Sequence, residues 1–170
     1  MTANFDSIEE VLKDIKTTTI VDCPLVPVVI PDVGLNTYTT LDTFGNMVKL
    51  KVPKRGVIVS ATYYDLDYEG LQMNLHIFNH LITQIAPEAA WAPSDGDILN
   101  LVTRLAFVSF DSHTNSYTSE ITNIGKAYTA HEGLFYIQAQ CVGAQDMASA
   151  AVYPRYQLQI QSFDPDFKES

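Results

Sequence analysis

Three short stretches of this sequence hold the residue types from which catalytic or metal sites are made. Asp65, Asp67 and Glu69 alternate and Gly70 stands sixth, as at the opening of a calcium-binding loop. The twelfth position, which a bidentate glutamate must fill to close that shell, is His76, and strand-like sequence flanks the loop instead of helices. The residues favour a polar β-turn with Gly70 at positive φ. Asp95-Gly96-Asp97 pairs two carboxylates, the raw material of general acid and base catalysis. Glycosidases set such a pair on opposite sides of a cleft, so a turn between Pro93 and Ile98 is the better account. Asp111-Ser112-His113 has triad residue types in a row, whereas a working triad is assembled in space, and no Gly-x-Ser-x-Gly elbow supports the serine.

The four histidines, His76, His80, His113 and His131, include one pair at a spacing that would share a helical face. Alternation places His76 on the polar side of a strand, and no His-Glu-x-x-His pattern accompanies it. Cys23 and Cys141 lack metal-ligand spacing and read as small buried hydrophobes, a disulfide being the lesser alternative. The glycines are scattered singly, without a phosphate-cradling loop. The expectation is a non-catalytic protein with no metal and no cofactor.

One charge cluster stands apart. Lys49, Lys51, Lys54 and Arg55 hold four of the 10 basic side chains within seven residues. On a strand Lys49 and Lys51 share a face, which either blunts an exposed sheet edge or offers a docking patch to an acidic neighbour. Trp91, the only tryptophan, either covers an end of the core or stands at a contact.

The elements that must carry these residues change character near Met47. Over 5–15, Ser7 and Glu10 form a capping box, and Ile8, Val11, Leu12 and Ile15 recur at helical spacing, which predicts a short amphipathic helix. Thr17, Thr18 and Thr19 interrupt it, and Pro24, Pro27 and Pro31 favour an extended path. Residues 1–45 therefore read as a helix and an arm laid over a surface, with a neighbouring subunit the favoured one; Phe5, Ile8, Val11 and Leu12 are its candidate contacts.

From Met47 the period is two, and 46–170 reads as the folded domain. Val48, Leu50 and Val52 form an apolar face; Val57, Val59, Ala61 and Tyr63 a second; Met73, Leu75 and Ile77 a third, the last two pairing as a hairpin. Residues 105–110 are apolar on both faces, as in a central strand, and shorter strands fall at 120–124 and 126–129. Residues 134–142 and 156–163 complete the set, with Tyr156, Leu158 and Ile160 inward. About eight strands with little helix between them specify an all-β antiparallel sandwich, jelly-roll-like, with a loop inserted over 82–100.

The composition agrees. A chain of 170 residues with 46% hydrophobic and 18% charged residues suits one folded domain. Twenty acidic side chains against 10 basic give a formal charge of −10, which repels phosphate backbones and argues against nucleic acid as a partner. No stretch has the ~18 uninterrupted apolar residues of a membrane span. The N-terminus has no basic region followed by an apolar stretch, which points to synthesis in a cytoplasm.

Two stretches resemble the capsid decoration, or cement, proteins of tailed bacteriophages. The first is GVIVSATYYDLDYEGLQMNLHIFN over 56–79, strand, acidic turn and strand; the second, over 123–161, runs from NIGKAYTAHEG through LFYIQAQCVGA and DMASAAVYP to RYQLQIQ. Together they span a little over a third of the chain. The resemblance implies a jelly-roll-like fold and a homo-oligomer, often a trimer, seated on a capsid surface where it ties major capsid protein subunits together. A different class of function, a glycan- or receptor-binding module of a phage appendage, would use ring stacking by Tyr63, Tyr64, Tyr68, Tyr136 and Trp91.

Overall fold

The computed structural model describes residues 19–23, 26–27, 37–66, 70, 72–143, 145–146, 154–164 and 167, and these build two antiparallel sheets packed face to face. In chain order come β1 (Thr19–Asp22), β2 (Val26–Pro27), β3 (Thr37–Tyr38), β4 (Thr43–Lys51), β5 (Arg55–Asp65) and β6 (Met73–Phe78). One helical turn, α1 (Asp95–Ile98), precedes β7 (Leu101–Phe107), β8 (Asp111–Ser112), β9 (Tyr117–Ile121) and β10 (Lys126–Thr129). The last strands are β11 (Leu134–Cys141), β12 (Gln145–Asp146) and β13 (Arg155–Ser162).

The larger sheet runs β1-β13-β5-β9-β8, with β10 also on β5 and β2 on β13. The smaller runs β4-β11-β6-β7, and β3 pairs with β12 apart from both. The all-β sandwich expected from the sequence is present. The helix expected over 5–15 lies outside the described residues.

Between the sheets, Leu50, Leu75, Ile77, Phe107, Phe135 and Ile137 meet Ile58, Ala61, Tyr63, Tyr156, Leu158 and Ile160. Each aliphatic side chain so buried contributes roughly 1.5–3 kcal/mol. β13 follows its alternation residue for residue: Tyr156, Leu158 and Ile160 are buried and Gln157, Gln159 and Gln161 are not.

The strand expected over 120–124 lies three residues earlier, as β9, and four larger features depart from the sequence reading. β5 and β6 are not a hairpin, because β5 pairs with β13, β9 and β10 while β6 pairs with β11 and β7 in the other sheet. Alternation assigns a residue to a face and leaves its partner strand open. Within β5 the pairing with β13 skips Val59, so Ile58 and Ala61 both point inward, while Val57 and Val59 are only partly buried. The apolar run at 105–110 belongs to an edge: β7 ends at Phe107, with Leu105 and Phe107 buried and Ala106 and Val108 exposed.

The fourth concerns the arm. Thr19–Asp22 forms the edge of the chain's own larger sheet, Cys23 donates its amide to Leu158 O at 2.8 Å, and Tyr38 packs edge-on against Phe44 at 4.8 Å. These parts of 1–45 are built into the sandwich. β4 likewise starts at Thr43, before Met47.

The central strands of the smaller sheet are buried on both faces because residues 79–100 fold back over its outer side. Ile82 is buried there with Phe78 and Tyr136. Thr43 N–H donates to Ala89 O and Trp91 N–H to Leu41 O, while Asn79 N–H donates to Asn100 O and so closes the loop.

Candidate functional site

The basic cluster lies where the chain passes from one sheet to the other. Val52 and Pro53 are buried between β4 and β5, which leaves Lys51, Lys54 and Arg55 exposed around them. Two backbone bonds fix this bend against the β10–β11 turn: Val52 N–H to Gly133 O at 2.9 Å, and Ala130 N–H to Lys54 O at 2.8 Å. Gly133 is required there, since its φ is +70° and a Cβ would stand 3.0 Å from Val52 O.

The end of β13 closes the third side. Phe163 N–H donates to Arg55 O, and Ser162 Oγ and the Asp164 backbone exchange hydrogen bonds at 3.0 Å. The result is a cleft of about 300 Å³ with Lys51, Val52 and Lys54 on one wall, Glu132 and Gly133 on the second, and Asp164 and Phe167 on the third. The ammonium groups at its rim suit a carboxylate-bearing partner segment, and Val52 and Phe167 give it apolar surface.

β1 ends at the same pole, because Thr19 stands opposite Ser162, which in turn stands opposite Gly56. Residues 1–18 thus join the sandwich next to Lys54 and Arg55. Phe5, Ile8, Val11 and Leu12 themselves lie outside the described residues.

Lys49 and Trp91 are placed elsewhere. Lys49 shares the outer face of edge strand β4 with Lys51, but its ammonium stands 5.8 Å from the centre of the Tyr136 ring. Tyr136 belongs to the small cluster beneath the 79–100 loop, and Trp91 packs against that cluster. Trp91 covers the outer face of the smaller sheet, its ring stacked on His76 with centroids 4.1 Å apart. Leu81, Ile98 and Leu99 of this loop are exposed, Leu99 to 87%.

Under the loop runs a row of polar side chains, among them His76, which alternation places on the polar side of its strand. Asn74, His76, Gln138 and Gln140 are all buried. Gln140 Oε1 accepts from Asn74 Nδ2 and lies 3.1 Å from His76 Nε2, and Gln140 Nε2 donates to Leu41 O. Burial lowers the His76 pKa from 6.5 to about 4, opposed by the Gln140 hydrogen bond and aided to a smaller extent by Arg104. The available signal was the loop itself: Ile82 and Trp91 require an apolar surface to cover.

The chemistry-bearing stretches are not gathered into one place. Asp65 is buried and accepts the Gly70 N–H at 2.6 Å, and Gly70 has the positive φ expected of the turn. Asp97 accepts from Ser94 Oγ at 2.8 Å and from Thr83 N–H, and its own N–H donates to Ser94 Oγ as the cap of α1. His113 bonds Thr118 Oγ1 instead of Ser112. His80 stacks on His131 at 4.4 Å, and among the described residues no three His, Cys, Asp or Glu side chains converge on a metal position.

Cys23 and Cys141 are buried thiols, and burial pushes the Cys141 thiol up to about 12. Of the aromatic rings, Tyr63 faces the core, Tyr64 the opposite side of the larger sheet, and Tyr136 and Trp91 the outer side of the smaller. Among the described residues no helix is long and apolar enough to cross a membrane. No protein-family model, curated protein or solved structure matches the chain.

Proposed function

We propose that this protein is a structural component of a virion, a decoration or cement protein that binds and stabilises a tailed-bacteriophage capsid shell as a homo-oligomer, trimeric in the reading favoured here. The observation that carries the proposal is the convergence at one pole of the Lys51, Lys54 and Arg55 bend, its cleft, and the point where residues 1–18 join the sandwich. A decoration protein needs a rigid body and one end that grips. The partner is then an acidic, partly apolar surface of the major capsid protein, and modest affinity per copy is multiplied by repetition over a symmetric lattice.

Further support comes from the order in which the chain builds its two sheets. β4, β5 and β6 fall in the smaller, larger and smaller sheet in turn, and β10, β11 and β13 in larger, smaller and larger. This alternation accords with a jelly-roll-like topology, and the two stretches resembling decoration proteins supply β5, β6, β10, β11 and β13.

Cosedimentation of the purified protein with capsid shells tests the reading, using wild type, Lys51→Glu/Lys54→Glu/Arg55→Glu, and a chain lacking residues 1–18, with light scattering to follow assembly state. The sandwich is expected to stay folded in both variants while shell binding falls at least tenfold. Undiminished binding by both, or a wild-type protein that stays monomeric and ignores every shell, would overturn it.

A further inference from the structure

His76 sits in a position that suits only its neutral ring. Gln140 Oε1 already accepts from Asn74, and Gln140 Nε2 is directed to Leu41 O, so the carbonyl faces His76 and the imidazole must donate from Nε2. That leaves Nδ1 as the lone-pair nitrogen, buried and without a hydrogen-bond partner among the described residues. A second proton would create an N–H with no acceptor, beneath the Trp91 ring.

The groups facing the imidazole are Asn74 on its own strand, Gln138 and Gln140 from β11, Arg104 from β7, and Trp91 from the loop. Of these Arg104 carries charge, and it is directly opposite His76 in register. Burial, and to a lesser extent Arg104, disfavours the charged ring, against the Gln140 hydrogen bond that favours it. Charging the ring therefore requires water at Nδ1, and the removable element above it is the 79–100 loop.

We propose that His76 and Trp91 form an acid-released latch: protonation of His76 lifts the Trp91 limb of the 79–100 loop from the smaller sheet and uncovers the apolar surface of Phe78 and Tyr136. The sandwich core lies on the other face of that sheet and stays closed. Lifting is local, because the loop is held by Thr43–Ala89, Glu88–Thr43, Trp91–Leu41 and the Gln138–Ile85 contacts, with one isolated bridge between Asp42 and Ala90, and forms no strand of either sheet.

The test is amide hydrogen exchange of the full chain between pH 7 and pH 4, corrected for intrinsic rates, together with fluorescence of the single tryptophan. With the His76 pKa going from about 4 closed to 6.5 open, the opening constant of the Ile85 and Trp91 amides rises by about 100-fold between pH 7 and pH 4, and Trp91 emission moves to the red. Amides of Leu75, Ile137 and Leu158 stay better protected than those of the loop at every pH, because they exchange only when the sandwich itself opens. His76→Gln keeps a donor for Gln140 and cannot be charged, so the greater part of the acid response of the loop is lost. Arg104→Gln, a change at an exposed position, gives a smaller acid response. Loop protection that is constant in wild type, an acid response undiminished in both variants, or loop amides that exchange no faster than those of the core would overturn the latch.

Discussion

The side chain of Gln138 binds the backbone of Ile85 as a strand would: Nε2 donates to Ile85 O at 2.6 Å, and Ile85 N–H donates to Oε1 at 3.3 Å. One amide thus satisfies both polar groups of a loop residue that lies against a sheet face, where no ladder can reach it. Gln138→Leu preserves volume and strands both groups of Ile85. Stability is expected to fall by about 2 kcal/mol in urea denaturation, with the largest gain in amide exchange at Ile85. An unchanged midpoint would mean that water replaces the side chain without cost.

Gln138 also marks where sequence reading stops. Its strand alternates Phe135, Ile137 and Ala139 with Tyr136, Gln138 and Gln140, and that pattern correctly gives the face of each residue. It leaves open whether the polar face is wet, since cover comes from a loop 53 residues away in sequence. β13 was legible throughout because its glutamines separate its apolar residues. β5 was not, because Val57, Ile58 and Val59 are all apolar and a skipped residue among them leaves no trace in hydrophobicity. Of the candidate site, the lysines and Arg55 were legible as a cluster. Glu132, Gly133, Asp164 and Phe167 reach the same cleft from distant segments, and only folding brings them there.

Gly56 sits where β5 meets β13, and a Cβ there would stand 2.7 Å from Gln161 O and 3.0 Å from Tyr128 Oη. Gly56→Ala must push two paired strands apart, and a loss of about 2–3 kcal/mol is expected in chemical denaturation. Gly143→Ala is the control, with nothing within 4 Å of the added methyl. It should fall within about 0.5 kcal/mol of wild type. Equal effects at the two glycines would contradict the packing described for β5.

Tyr156 is fully buried, opposite Tyr63 in the β5–β13 pairing, and its hydroxyl has no hydrogen-bond partner among the described residues. Burial raises its pKa well above the ordinary range, so the group stays neutral. Tyr156→Phe removes an unsatisfied oxygen and retains the ring. Thermal unfolding should show a gain of about 1 kcal/mol. Loss of more than that amount would reveal a bond that the hydroxyl makes in solution.

Stability should depend on pH through His76. The unfolded chain takes up this proton as pH falls through 6.5, whereas the folded chain resists until about 4. The folded state therefore loses ground between those values, by up to about 3 kcal/mol, and this contribution is fully restored above pH 7. Carboxylates titrate in the same window, so the measurement is the difference between wild type and His76→Gln across urea midpoints at pH 7, 5.5 and 4. Parallel curves for the two proteins would remove His76 from the account.

β5 runs the length of the larger sheet, from Gly56 opposite Ser162 to Asp65 opposite Tyr117. The short turn between β8 and β9, closed by His113 N–H on Ser116 O, therefore projects about 30 Å from the pole where Thr19, Ser162 and Gly56 stand side by side. A foreign epitope spliced between Thr114 and Asn115 would ride at the tip of a stalk, pointing away from whatever the opposite end holds.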